Sequence, residues 1–345
     1  MNQHVANSVA AGLLLTGAQA FAWGAAGHMA VGTIADRLIA GTPAATQVRK
    51  ILGSNLRTAS VWADCAKGVS TSTFKYEGSG HYQECAIYEN PASERQMEAF
   101  VRRNHDNCTS PHNTEPCHKQ YHYTDVAIQR AEYRRGSVGT SEQDVVAAIN
   151  AALAVLQDRE PPAPFRIAGK REALRLLAHY VGDIHQPLHV AAVYVDAKGN
   201  VIDPDEGTFD PRTETHGGND LLIKVSHPAG AKYAPKPLKL HGDWDNVAGA
   251  GIQDQPSAAV LSKAREVLAT EGEVSGWATA WATESLKLGA VAYGGLLYSP
   301  ENTSHQHAIT LPAGYNAEVK SPTQRDQVVK GGARLAQLVM VLWPE

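Results

Sequence analysis

The stretch from Ala178 to His189, AHYVGDIHQPLH, constrains this chain more than any other part of it. His179 and Asp183 stand four residues apart, the spacing that sets two side chains on one face of an α-helix. Leu174, Leu177, Ala178 and Val181 draw an apolar stripe beside them, so a helix here turns an imidazole and a carboxylate into protein rather than toward water. Buried polar groups need partners, and a buried His/Asp pair followed by His189 suits a metal ion.

Three more segments carry donors of the same kind: WGAAGH from Trp23 to His28, WAD from Trp62 to Asp64, and HGDWD from His241 to Asp245. With His122 the candidate ligands are Trp23, His28, Asp64, His122, His179, Asp183, His189, His241 and Asp245. Singly, each has a plainer explanation. His179 alone would be a hydrogen-bonded core histidine, HGDWD a capped helix start, and Trp23 an aromatic anchor. Their coincidence favours metal. The set exceeds the near-tetrahedral shell of one zinc and suits three if a carboxylate bridges, a part that fits Asp183 between two histidines.

Helical periodicity dominates the rest, giving a mainly α chain. The segments are Met29 to Ile39, Pro43 to Leu52, Glu94 to Asn104, Ser141 to Gln157 with a capped start at Ser141, Ile167 to Ile184, Ser257 to Ala269, Trp277 to Tyr293, and Thr323 to Leu342. Between about 190 and 225 the texture changes to short alternating runs, VAAVYVD and LLIKV, around a polar loop; this predicts a small β-hairpin insert. It interrupts a domain rather than founding one, because ligand-type residues flank it. A single helical domain over residues 23–345 is expected.

Residues 1–22 hold no Asp, Glu, Lys or Arg, are apolar from Val9 to Leu15, and end Ala20-Phe21-Ala22. This reads as a signal peptide cut between Ala22 and Trp23, despite an n-region without a cation, and implies a secreted or periplasmic protein. Cys65, Cys85, Cys108 and Cys117 then suit two disulfides. Three pairings exist; short loops favour Cys65 with Cys85 and Cys108 with Cys117, without excluding the others. A net charge of -4 and a pI near 6.4 offer no broad basic field for duplex nucleic acid.

WGAAGH, WAD, YHYTD from Tyr121 to Asp125, HYVGDIHQPLH, GGND from Gly217 to Asp220, HGDWD and the GGARLA run from Gly331 follow one another in a way that resembles the trinuclear zinc-dependent, single-strand-specific nucleases with 3′-nucleotidase activity. These are the type I nucleases of the phospholipase C/nuclease superfamily. The resemblance covers nearly all of the chain from Trp23 and implies the helical fold of that superfamily. It implies three Zn2+ ions: one on Asp64, His122, His179 and Asp183, a second on His189, His241 and Asp245. The third would sit on Asp183, His28 and the free α-amine and carbonyl of Trp23, which makes signal cleavage a step in building the site.

Further roles follow from the same resemblance. Metal-activated hydroxide would attack phosphorus, giving 5′-phosphate products from single-stranded DNA, RNA and 3′-mononucleotides. Asp64 would orient the nucleophile, Lys67 would offset charge on the phosphate, Tyr123 would stack on a base, Asp125 would hydrogen-bond it, and Asn219 would touch phosphate or water. His185 and His216 neighbour motif residues and are the remaining histidines best placed to support them. No stable protein partner is implied, and a monomer is expected. The nearest rival is a zinc-dependent phospholipase C, whose last ligand is Glu where Asp245 stands here and which lacks the GGND segment.

Overall fold

The computed structural model describes residues 23–108, 113–224, 237–252 and 255–344; the expected signal segment and Val225 lie outside them. Helices form the body. They are α1 (Ala25–Leu38), α2 (Pro43–Leu52), α3 (Leu56–Ala59), α4 (Trp62–Ala66), α5 (Pro91–Arg103), α6 (Cys117–Gln120), α7 (Val145–Leu156), α8 (Lys170–Asp183), α9 (Leu240–Asp245), α10 (Ala258–Glu266), α11 (Val274–Ala292) and α12 (Ser321–Leu342). Every long helix expected from periodicity is present, with ends shifted by a few residues. The two short ones that carry site residues, α4 and α9, are below the length at which periodicity speaks.

Caps explain the boundaries. Thr42 and Asn90 accept hydrogen bonds from the third residue on, each ahead of a proline at the first helical position. The start of α7 lies not at Ser141 but at Asp144, whose Oδ1 accepts from Ala147 N at 3.0 Å while its Oδ2 accepts from Tyr133 OH at 2.7 Å. Asp144 is buried and bonded to a phenol, so it makes the firmer cap; that contact spans eleven residues and is invisible to local pattern.

In the interior α1 lies along α12 and α7 along α8. A Cβ on Gly332 would come within 2.5 Å of Ile34 Cβ, so the approach of α12 to α1 depends on that missing side chain. Leu174, Leu177, Ala178 and Val181 of α8 are all fully buried, as their stripe predicts. Asp36 of α1 accepts from Leu56 N and Arg57 N, each at 3.0 Å, fixing α3 and with it the turn leading into α4. Cys65 is bonded to Cys85 and Cys108 to Cys117, the short-loop pairing.

The sheet content is small, as expected, but the pairing within residues 190–224 differs. A short hairpin exists between β3 (Tyr194–Val195) and β4 (Val201–Ile202). LLI is not its second strand. Strand β2 (Ala191–Ala192) runs parallel to β1 (Val126–Ala127), and β5 (Leu221–Ile223) joins a four-stranded sheet of order β6-β5-β8-β7 with β6 (Leu238–Lys239), β7 (Leu297–Glu301) and β8 (His307–Thr310). The two runs alternate alike, yet β2 pairs with β1 and β5 pairs with β8 as well as with the nearer β6, which alternation alone does not reveal.

Candidate metal centre and adjoining pocket

Each metal-type donor sits on a short element locked to a larger one. His179 and Asp183 end α8, His189 ends the 3-10 turn Pro187–His189 that follows, and His241 and Asp245 occupy one face of α9. Helix α9 is held by α12, through Gln324 Nε2 to Trp244 O at 2.7 Å, and by Lys320 Nζ on Asp243 Oδ2 at 2.6 Å. Beyond α8, His185 Nε2 accepts from Arg334 Nη1 of α12 at 3.0 Å, fixing the turn between Asp183 and His189.

The donors converge. Asp183 lies at the middle: its Oδ1 is 3.2 Å from His28 Nε2, and its Oδ2 is 3.0 Å from His122 Nδ1 and 3.2 Å from His179 Nε2. Asp64 Oδ1 lies 3.5 Å from His179 Nε2 and 3.9 Å from His122 Nδ1. The second cluster holds His241 Nε2 at 3.0 Å from His189 Nε2, with Asp245 oxygens 3.5 and 3.8 Å from the two rings. Among the described residues, three groups emerge in which every donor atom is within 4.8 Å of the others: His28/Asp64/His179, His122/His179/Asp183 and His189/His241/Asp245. The first two share His179, so they interlock rather than stand apart.

The decisive detail is proton placement. His179, His189 and His241 each turn Nδ1 to a main-chain carbonyl: Ser60 O at 2.5 Å, His122 O at 2.8 Å and Gly217 O at 2.8 Å. A carbonyl only accepts, so each Nδ1 carries the hydrogen and each Nε2 shows a bare lone pair when the ring is neutral. His189 and His241 therefore aim lone pairs at one another across 3.0 Å. A cation between them turns that repulsion into ligation. Gly182 serves the same end, since a Cβ there would lie 2.6 Å from His28 Nδ1. The His28 ring stacks on His179 at 3.8 Å in the room that glycine leaves.

Charge states fit. Burial holds the imidazoles of His28, His189 and His241 below their ordinary range and that of His122 well below it, which favours their neutral form, whereas at His179 Asp183 and Asp64 outweigh burial and raise it. For Asp64 burial pushes upward, but Lys67, His179 and His122 outweigh it and hold the carboxyl at about 2. Burial lifts Asp245 to about 7 against the pull of His241, and its Oδ2 has no hydrogen bond.

Trp23 has a fully buried indole, and Gly24 N donates to Asp245 O at 2.8 Å, which lays the main chain at 23–24 against the end of α9. Lys67 Nζ is 2.7 Å from Asp64 Oδ1 and only 13% exposed. The residue after His122, Tyr123, faces a cleft of about 400 Å³ lined with Asp125, Arg135, Phe209 and Glu214. Burial and then Glu214 push Asp125 well above the usual carboxylate range, and its Oδ1 is unpartnered. Asn219 is half-buried and spends Nδ2 on His216 O at 3.0 Å, within the turn whose Gly217 carbonyl orients His241.

Sequence order, buried His/Asp clusters and spacing now meet one comparison. The model of the S1/P1 nuclease family matches residues 23–342. The chain belongs to the S1/P1 nuclease family. No curated protein matches it. Membership makes the chain a hydrolase of phosphodiester bonds in nucleic acid, in a zinc-dependent family, and its two disulfides fit an extracellular protein.

Sequence patterns missed several residues this S1/P1 nuclease relies on. Gln186 donates from Nε2 to Asp245 Oδ1 at 2.9 Å and so aims the only carboxylate of the second cluster. It stands inside HQPLH, and only its position there hints at the role. The carbonyls of Ser60, His122 and Gly217 carry no side-chain signature at all. Glu214, which faces Asp125 in the cleft, has none either.

Proposed function

We propose that the protein hydrolyses single-stranded DNA and RNA to 5′-phosphate products and releases phosphate from 3′-mononucleotides. The observation that carries this reading is the pair of neutral imidazoles, His189 and His241, facing each other at 3.0 Å beside a carboxyl that burial has raised to about 7. Three Zn2+ ions would occupy the clusters. Asp64, His122, His179 and Asp183 would hold one, His189, His241 and Asp245 another, and Asp183, His28 and the Trp23 amine and carbonyl the third. Zinc, when bound, lowers the pKa of a water to about 7 and offsets charge on phosphate oxygens.

The remaining work falls to side chains. Asp64, ionised beside Lys67, accepts a hydrogen bond from the attacking water and aligns it. Lys67 balances equatorial charge on the phosphate. Tyr123 stacks on the base, Asp125 hydrogen-bonds its edge, and Asn219 steadies phosphate or water. A base must turn into the cleft while its phosphate reaches recessed donors, and paired, stacked duplex resists both movements. The domain comprises residues 23–345, acts as a monomer, and is exported with cleavage between Ala22 and Trp23, because an amine still joined to Ala22 cannot ligate.

One assay tests the whole reading. Purified protein is offered single-stranded DNA, duplex DNA, RNA, a 3′-mononucleotide and lecithin, with and without a chelator. Hydrolysis of the first, third and fourth, lost to the chelator and restored by zinc, is expected. Release of phosphocholine without cleavage of any nucleic acid would reassign the site. N-terminal sequencing with zinc analysis tests the processing step; full activity in a form retaining residues 1–22 would refute it.

A further inference from the structure

Tyr123 is not held by a helix. Its phenol donates to Glu115 Oε2 at 2.9 Å and accepts from Asn113 Nδ2 at 2.6 Å, so both capacities of the hydroxyl are spent at the end of the ring away from the main chain. Both partners lie between Cys108 and Cys117, which are disulfide-bonded across a separation of nine residues. Gln120 ties that segment down, donating to Glu115 O at 2.6 Å and to Cys108 Sγ at 3.3 Å, while its own Oε1 accepts from Gln143 Nε2 at 3.0 Å. No residue of the metal clusters belongs to the segment.

We propose that residues 113–117, tied to Cys108 by the Cys108–Cys117 disulfide, are a brace for nucleobase recognition, with Asn113 and Glu115 as positioning residues that fix the plane of the Tyr123 ring. The inference rests on the reading of Tyr123 as the stacking platform. A tyrosine anchored only at its Cα must be ordered each time a base arrives, and that ordering weakens binding. Here the far end of the ring is clamped before substrate comes. The disulfide confines the chain that supplies both clamps. Its opening releases the brace without touching a metal ligand.

The test separates base recognition from chemistry. Two substrates are compared: oligo(dA), and an oligomer of equal length built from tetrahydrofuran abasic residues. N113A and E115A should each raise KM for oligo(dA) about threefold, less than loss of the ring itself, as expected for an unordered side chain, with kcat held within about twofold. The abasic oligomer should be cleaved by both variants as well as by the parent, with zinc content unchanged. Tyr123→Phe, which removes the clamped hydroxyl, should reproduce the effect, and adding N113A to it should bring no further rise. The C108S/C117S double variant should match N113A if it keeps the parent's melting temperature. An unchanged KM in both N113A and E115A, or equal losses on the abasic oligomer, would overturn the brace. If Tyr123→Ala itself leaves KM for oligo(dA) unaltered, the stacking reading fails, and the brace with it.

Discussion

The metal clusters and the cleft beside them are one residue apart in sequence, at His122 and Tyr123, but are built on opposite plans. The clusters are buried among helices, with His28, His179 and Asp183 wholly inaccessible, and main-chain carbonyls set their imidazole tautomers. The cleft is open and loop-built, with the hydroxyl of its Tyr123 ring hydrogen-bonded to Asn113 and Glu115. Cation placement demands tolerances of tenths of an ångström, and packed helices supply them. A surface that takes any base has to fix one aromatic plane and leave the rest adaptable.

The sharpest way to break the contrast is at its centre. Asp183→Ala removes the carboxylate that three imidazoles approach, and a loss of at least about a thousandfold in hydrolysis with a deficit in bound zinc is expected. Retained zinc and activity would mean the cluster is not the reaction centre. Gly182→Ala probes the same region through packing. Its Cβ displaces His28, and about a hundredfold drop is expected, accompanied by zinc loss measurable by elemental analysis.

Gln186→Ala removes both the hydrogen bond that aims Asp245 and the cap on Leu188 N in the turn that carries His189, so about a tenfold fall in zinc affinity, read by competition with a chelator, is expected. On the other side of the contrast, Tyr123→Ala should raise KM for single strands about fivefold, the low end of a stacking contribution, with zinc content unaltered. A change in bound zinc there would show that cleft and clusters are not separable.

How much of this could be seen in the chain depended on distance along it. The i,i+4 pairs His179/Asp183 and His241/Asp245 are local, and their helical faces follow from spacing. The periodic helices follow from their stripes. The partner of LLI in the sheet, the Asp144 cap bonded to Tyr133, and Gln186 on Asp245 all join residues far apart, and nothing in their neighbourhoods encodes the partner.

Sequence alone therefore determined the candidate donors, their order and the long helix that carries His179 and Asp183, because these depend on residue chemistry and on a period of 3.6. The fold alone decided which nitrogen of each imidazole faces inward, which clusters share His179, and how the Tyr123 ring is clamped. Those depend on carbonyls and side chains that meet only once the helices have packed, where direction rather than composition sets the energy.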